Sequence, residues 1–516
     1  MKENTSPNTF YVTTPIYYVN SVAHIGHAYT TTYADVLHRF HKLFGEESFF
    51  LTGTDEHGQK VEQAAVKKGV ATIEHCNEMS EKFKELWEKM QIIPSDFIRT
   101  TEERHAKVVQ EMLQKLYDEK LIYAAEYEGY YEVSEERFLT EKEIEEKNYS
   151  KEGPEVVFLK EKSYFFKMGQ YQSWLINHIN ENPDFIIPET RKNEVLGFLN
   201  KPLNDLCISR PKSRMSWGID LPFDKDYVTY VWFDALLNYV SIHLSRENGK
   251  EELQKWWPST THLIGKDILT THAVYWPTML KALGFSMPKT IAVHGWWLLG
   301  QDKMSKSKGN VVNPLELMEK YGIEEFRYFL VREMSFGSDA NFSEESLVIR
   351  LNTELSNDLG NLLSRTHKLV MKFYDGKIPD CKKEKKTYLE SELAEVVNHL
   401  AMNVEKEVRA LHLNLAVEET VLFVRKLNKY IDDVKPWSLA KNEETKEYAG
   451  ICLYTVLDSL KLVAELLSPI MPEKMTSMMQ ALGTQKSGLL EVGQLNAGDE
   501  LGEAVNLFPR IVLNNE

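Results

Sequence analysis

Thr9-Phe10-Tyr11-Val12, then His24-Ile25-Gly26-His27, then the amphipathic stretch from Ala28 to Leu43, is the run whose reading decides the fold. The first residues are β-branched and aromatic and read as a strand. The last stretch carries its apolar residues at helical spacing and reads as a helix. Two imidazoles therefore fall at a strand-to-helix turn. A helix N-terminus presents free N–H groups and the positive end of the macrodipole, so His24 and His27 add donors where an anion such as a triphosphate would lie. Gly26, lacking a side chain, lets a planar ring approach the backbone. Taken alone, His27 would also read as a satisfied core histidine.

A second basic motif, Lys303-Met304-Ser305-Lys306-Ser307, lies in the polar loop between Gly300 and Asn310 and places two ammonium groups three residues apart. Such a loop can close over a leaving pyrophosphate. Around these motifs the chain changes character several times. Strand-like runs (Phe10 to Thr13, Ser48 to Leu51) alternate with helical ones up to about Leu116, the pattern of a parallel α/β sheet. From about Tyr117 to Asp205 the pattern breaks into a charged, irregular stretch with Tyr130-Tyr131 and Ser163-Tyr164-Phe165-Phe166, which reads as an inserted domain. Strand character resumes with Tyr227 to Phe233, Thr261 to Ile264 and Thr290 to Val293. Beyond Pro314 the chain is helical almost throughout, with Leu393, Val396, Val397, Leu400, Val404 and Val408 spaced at three and four.

Bulk properties agree with several domains. A chain of 516 residues exceeds one ordinary core, and its 43% hydrophobic and 27% charged residues are those of a globular protein. No apolar run approaches the roughly 20 residues needed to span a bilayer, so a cytoplasmic protein without membrane contact is expected. Four cysteines, Cys76, Cys207, Cys381 and Cys452, stand singly, which indicates neither a disulfide framework nor a cysteine zinc site. The net charge of −16 would argue against a nucleic-acid partner, but acidic residues crowd into Glu126 to Glu161 and the C-terminal helices and leave room for local basic surfaces.

The two basic motifs match the HIGH and KMSKS motifs of class I aminoacyl-tRNA synthetases, and nearly the whole chain resembles the methionyl-tRNA synthetase family. The resemblance implies an α/β fold: a Rossmann-like parallel-sheet catalytic domain split by a connecting insertion, followed by an α-helical anticodon-binding bundle. The expected boundaries are residues 6–116 and 206–283 for the two halves of the catalytic domain and 117–205 for the insertion. Residues 284–345 form a stem-contact region carrying the KMSKS loop, and residues 346–516 the anticodon-binding domain. The activity implied is methionine–tRNA ligation: ATP with Mg2+ activates methionine to methionyl-adenylate, and methionine passes to the 3′ adenosine of tRNA(Met). Another class I synthetase for an apolar amino acid is disfavoured because no long editing insertion is present. A catalytically silent tRNA-binding paralogue is disfavoured by the intact motifs. A monomer is expected, since no sequence is left to build the dimerising domain that some relatives append.

The resemblance also assigns residues. His24, Gly26 and His27, with Lys266, Asp267, His294 and Gly295 and the loop residues Lys303, Met304, Ser305 and Lys306, would bind ATP. Of these, His24, His27, Lys303 and Lys306 would act on the phosphates. Asp55, in Thr52-Gly53-Thr54-Asp55-Glu56-His57-Gly58, matches the aspartate that pairs with the substrate α-amino group, and Arg210 the arginine that orients it. Taken alone, Asp55 also reads as a helix N-cap. Methionine, apolar with a polarisable sulfur, suits an aromatic pocket with one polar group. Ile16, Tyr18, Trp232, Ala235, Leu236, Tyr239, Ile268, His272 and Trp276 match it, although an aromatic at the spacing of Trp276 is more often ordinary core. Leu236 departs from the proline that many bacterial relatives carry there. Asn361 and Arg365, four apart on one helix, match with Trp437 the residues that read the CAU anticodon; Asn361 as a cap or packing residue and Trp437 as bundle core are the alternatives. Many relatives hold zinc in the insertion through cysteines. Glu132 and Glu135 stand in their place before Arg137-Phe138, so no metal is expected there.

Overall fold

The computed structural model describes residues 8–20, 22–132, 137–139, 144, 156–300, 302–303, 312–380 and 392–512. It divides into two compact units. The first comprises Phe49–Glu85, Pro94–Val293 and the chain up to Val22; the second comprises Ala23–Ser48, Leu86–Ile93 and the chain from His294 onward.

The first unit is built on a seven-stranded sheet. Its order is Tyr17–Tyr18, Glu47–Asp55, Thr9–Thr13, Thr260–Gly265, Thr290–His294 and Ile186–Ile187, with Asp96–Arg99 also on Glu47–Asp55. Thr9–Thr13 runs parallel to Thr260–Gly265, and Tyr17–Tyr18 and Asp96–Arg99 run parallel to Glu47–Asp55. The apolar runs are buried almost without alternation, as a sheet covered on both faces requires. Gly53 is where the packing is tightest: a Cβ there would come within 2.0 Å of the Ile98 carbonyl oxygen on the neighbouring strand. Thr9–Thr13 lies between Glu47–Asp55, which comes after Tyr17–Tyr18 and the helix Ile25–Leu43, and Thr260–Gly265, which belongs to a much later part of the chain. Such a switch point leaves a crevice at the carboxyl ends of the strands.

Two differences from the sequence reading concern this unit. The stretch read as irregular is ordered as a four-stranded antiparallel sheet of Arg137–Leu139, Ile122–Glu132, Val156–Phe166 and Leu206–Cys207. Its backbone pairs as one hairpin from Ile122 with Phe166 to Glu132 with Val156. Aromatic pairs such as Tyr123–Phe165 and Tyr130–Phe158 brace it. Residues grouped with this insertion then return to the main sheet: Ile186–Ile187 pairs with Ile291 and Ala292, and Leu175, Ile179 and Val195 pack against Ile264 and Val293. The run Tyr227 to Phe233 is not one strand. Asp224–Thr229 is extended, and Val231–Leu236 is helical, because a short β-branched and aromatic run fits a buried helix as well as a strand.

The second unit contains the helix Ile25–Leu43 and the C-terminal helices. Leu393, Val397, Leu400, Val404 and Val408 are buried on Glu392–Arg409, against Leu413–Val434. Arg327, on the helix Ile323–Glu333, lies at the centre of this unit with no exposed surface. Its Nη2 meets Asp35 Oδ2 at 2.7 Å, and its other N–H groups donate to the carbonyls of Ile470 (2.8 Å) and Met90 (2.9 Å). Asp35 in turn binds Arg39 Nε at 2.8 Å. The hydroxyl of Tyr33 donates to the Leu411 carbonyl and accepts from the Leu413 N–H. No helix among the described residues is long and apolar enough to cross a membrane.

Replacing Arg327 by Leu removes one donor from the buried Asp35 carboxylate and a donor from each of the carbonyls of Met90, Pro469 and Ile470. Arg327→Leu should cost roughly 3–5 kcal/mol, read as a shift in the urea midpoint, whereas breaking an exposed pair such as Lys107–Glu103 should leave the midpoint almost where it was. A midpoint unchanged by Arg327→Leu would remove the pair from its structural role.

Candidate active site

In the second unit, the helix begins at Ile25, so that His24 is its N-cap and Gly26 and His27 form its first turn. His24 Nδ1 accepts the Gly26 N–H at 3.1 Å, and His27 Nδ1 accepts the His24 N–H at 3.2 Å. The rings stack with centroids 3.9 Å apart. Because both Nδ1 atoms are spent on the backbone, each neutral ring carries its proton on Nε2 and offers that N–H as a donor. Both histidines are half-buried, which removes the core alternative for His27. Gly26 has a reason that the sequence did not reveal: a Cβ there would lie 2.9 Å from His24 Cε1, so only glycine lets the ring fold over the turn. His294 joins this corner. Its Nε2 lies 2.8 Å from Thr30 Oγ1, which reaches back to the Gly26 carbonyl at 3.0 Å. Gly295 admits no Cβ, since the Ser338 carbonyl would be 2.1 Å away. The backbone of Lys303 pairs with Leu298 in a hairpin; Met304, Ser305 and Lys306 lie outside the described residues.

In the first unit, Asp55 ends its strand, buried, with Tyr18 opposite it in the sheet register. It is not a helix cap, because the next helix starts at Gln59 behind Gly58. Tyr18 meets the ring of Trp232 edge to face, at 6.1 Å between centroids. Trp232, Ala235 and Leu236 share the helix Val231–Leu236, and Ile16 packs at the edge of the same core. Tyr230, which precedes this helix, lies under the guanidinium of Arg210 at 4.6 Å; Arg210 Nη1 donates to the Ser209 carbonyl at 2.7 Å. Lys266 and Asp267 form a single turn with Ile268 after the strand Thr260–Gly265, half-buried and exposed respectively.

Tyr239, buried in the same core, is bonded and packed between two histidines. His272 Nδ1 donates to the Ile268 carbonyl at 3.0 Å, which leaves Nε2 to accept the Tyr239 hydroxyl at 2.8 Å. A second locked ring lies against it. His262 Nε2 accepts the Trp276 indole N–H at 3.1 Å, so its Nδ1–H turns to Thr13 Oγ1 at 2.8 Å, and its ring lies 4.2 Å from that of Tyr239. Burial pushes the His272 pKa down to about 4 and that of His262 well below its ordinary value. Both are therefore neutral, and the tyrosine keeps its proton, since burial and then the charges of Tyr17 and Asp55 raise its pKa. Trp276 is wholly buried in the core and lies 5.9 Å from the Tyr239 ring. The spacing of four that suggested one helix is only partly helical, as a wide turn at Thr271–Tyr275 separates Ile268 from the helix Trp276–Leu283. Sequence reasoning did not find His262 and Thr13. A histidine inside the buried run Thr260–Gly265 was the available signal.

In the helical part of the second unit, Asn361 is exposed at the start of Asn361–Phe373, and Arg365 lies one turn on. Arg365 donates to Asp432 at 2.7 Å and Asn428 at 3.3 Å, with its guanidinium 6.0 Å from the ring of Trp437. Trp437 is half-buried and is not a core residue.

Two family models cover this chain: class I tRNA synthetases (M) over residues 10–154 and 148–367, and the anticodon-binding domain of methionyl tRNA ligase over residues 378–514. The chain belongs to the class I methionyl-tRNA synthetases. A methionine–tRNA ligase of Clostridium perfringens is 45% identical over 97% of this chain and 78% of its own length. One of Caldanaerobacter subterraneus is 42% identical over 98% and 80%. Among solved structures, Mycobacterium tuberculosis methionyl-tRNA synthetase in complex with methionyl-adenylate superposes with a TM-score of 0.91, at 37% identity and covering 97% of this chain and all of that one. Its free state gives 0.86 at 33% identity, with 98% of this chain covered and 99% of that one.

The neutral rings of this synthetase imply a pH dependence of stability. The His272 pKa is lower in the folded chain than in the unfolded one, so only the unfolded chain gains the proton between these values. Stability should be full above about pH 6.5 and fall toward pH 4 by up to about 1.4 kcal/mol per unit for this ring. Urea midpoints measured at pH 7, 6 and 5 should fall less steeply for His272→Gln than for the parent; parallel slopes would contradict the assignment.

Proposed function

We propose that this protein is a methionine–tRNA ligase that makes methionyl-adenylate from methionine and ATP and then aminoacylates tRNA(Met). The single observation that carries this reading is the near full-length similarity to methionine–tRNA ligases. The methionine carboxylate attacks the α-phosphorus of ATP, the bond to the β-phosphate oxygen breaks, and pyrophosphate leaves. The 2′- or 3′-hydroxyl of the terminal adenosine then attacks the acyl carbon, and AMP leaves with the bonding electrons. No protein nucleophile is needed; the work is positioning and charge stabilisation.

In this reading Asp55 pairs with the α-ammonium group and Arg210 supports it. Ile16, Tyr18, Trp232, Ala235, Leu236, Tyr239, Ile268, His272 and Trp276 receive the side chain. A neutral His272 that accepts from Tyr239 leaves no charge in the pocket, which suits a thioether. The Nε2–H groups of His24 and His27, at a helix N-terminus, suit phosphate oxygens. Gly26, His294 and Gly295 flank them, Asp267 and Lys266 serve the ribose and phosphates, and Lys303, Met304, Ser305 and Lys306 close on pyrophosphate, with Mg2+ carried by ATP. Asn361, Arg365 and Trp437 read the CAU anticodon of the tRNA. The domain division proposed is that of residues 6–116, 117–205, 206–283, 284–345 and 346–516. The translational role supports a cytoplasmic monomer.

Methionine-dependent exchange of pyrophosphate into ATP tests the activation step. Lys306→Ala should lower its kcat by tenfold or more with little change in methionine KM, because the charge is needed as pyrophosphate develops. An exchange rate equal to the parent would defeat the assignment. Trp437→Ala should weaken tRNA charging by roughly 1–3 kcal/mol and leave exchange intact, since base stacking on the ring would be lost. Normal charging by that variant would strike Trp437 from the anticodon residues. The four scattered cysteines cannot form a four-thiolate site in the insertion. Elemental analysis of the purified protein should therefore find no stoichiometric zinc, and one tightly held zinc per chain would refute this.

A further inference from the structure

Asp234 stands in the middle of the helix Val231–Leu236, wholly buried, among the pocket residues Trp232, Ala235 and Leu236. Its carboxylate bonds to two imidazoles. Oδ2 is 2.6 Å from His57 Nδ1, Oδ1 is 2.7 Å from His105 Nε2, and His105 Nδ1 is 2.8 Å from Ser241 Oγ. Each imidazole donates one N–H to a different carboxylate oxygen, and His105 is held from its other side by the serine hydroxyl, which itself reaches the Asn238 carbonyl at 3.3 Å. Three elements meet at this group. They are the pocket helix, the turn after the strand Glu47–Asp55, and the helix Glu103–Asp118 that carries His105. His57 follows Asp55 by only two residues.

A buried carboxylate is poor packing material. Desolvation costs several kcal/mol, and an apolar residue of similar volume would often fill the space with no loss of stability. A carboxylate with two fixed donors does set the rotation and height of a short helix, which packing alone does weakly. We infer that Asp234 is a positioning residue for methionine, holding the side-chain pocket at the correct separation from Asp55 through His57 and His105. This rests on the methionine-pocket reading above. The substrate must engage both places at once, so a shift of the helix misaligns one of them. A misplacement of about 1 Å can cost on the order of a hundredfold in such a site.

The test is pyrophosphate exchange with methionine and ATP titrated separately, on variants of the full chain whose melting temperatures are also measured. Asp234→Asn keeps the shape but sets an N–H donor against a ring N–H. It should raise methionine KM about tenfold to a hundredfold with ATP KM and kcat within about twofold. His105, fully buried and away from solvent, allows a second arm if Asp234→Asn fails to fold. His105→Gln retains a donor for the carboxylate and should keep methionine KM near the parent value, whereas His105→Leu should raise it as Asp234→Asn does. Asp55→Asn is the control for the underlying reading. If Asp55→Asn raises methionine KM but Asp234→Asn and His105→Leu lower only the melting temperature, Asp234 is a structural ion and the inference falls. If Asp55→Asn leaves methionine KM unchanged, the pocket assignment falls and takes the inference with it.

Discussion

The pairing of Asp35 with Arg327 is the constraint on which the second unit depends. Helix Ile25–Leu43 carries the histidine turn at one end, and its middle is tied by this pair to the helix Ile323–Glu333. An arginine without exposed surface is costly unless every donor is used. Here the guanidinium is spent on one carboxylate and on the carbonyls of Met90, Pro469 and Ile470. The cost of desolvation is offset only in this one geometry, so the pair specifies how the helices meet more than it adds to stability. Tyr33 and Thr30 extend the same control, toward the turn before Leu413–Val434 and toward His294. The histidine turn is therefore held by the unit that contains the C-terminal helices.

The first unit solves a different problem with the same economy. A site for methionine such as the one proposed has to be apolar, yet polar atoms inside it need partners. Each buried histidine here has its tautomer set by a partner that can act in only one way: the Ile268 carbonyl for His272 and the Trp276 indole for His262. The result is a pair of neutral rings around Tyr239 that satisfy every strong bond locally. Asp234 is an anion in the same core, and burial, which alone would raise its pKa, is outweighed by His57 and His105 so that it stays below the usual carboxylate range.

Much of this was legible in the amino-acid sequence. The strand, the histidine turn and the helix beginning near Ala28 followed from local periodicity, because a covered parallel sheet and an amphipathic helix write different spacings into the chain. The spacing of Asn361 and Arg365 placed them on one helix face for the same reason. The insertion was read as irregular where it forms an antiparallel sheet. A charged antiparallel hairpin lacks a long apolar run, and Ile186–Ile187 is too short to be seen as a strand of a sheet whose other members lie far away in the chain.

What the sequence by itself determined is the family, the order of the motifs and the chemistry they bring, since residue types at fixed local spacing carry that information. Tertiary structure alone decided which polar atoms are spent on one another. It showed that His24 and His27 give their Nδ1 atoms to the backbone, that Gly26 makes room for the His24 ring, and that His57, His105 and Asp234 form one cluster from three separate segments. Such pairings join residues as much as 177 positions apart. No local pattern encodes them, because they exist only once the sheet and its helices have brought the backbone together.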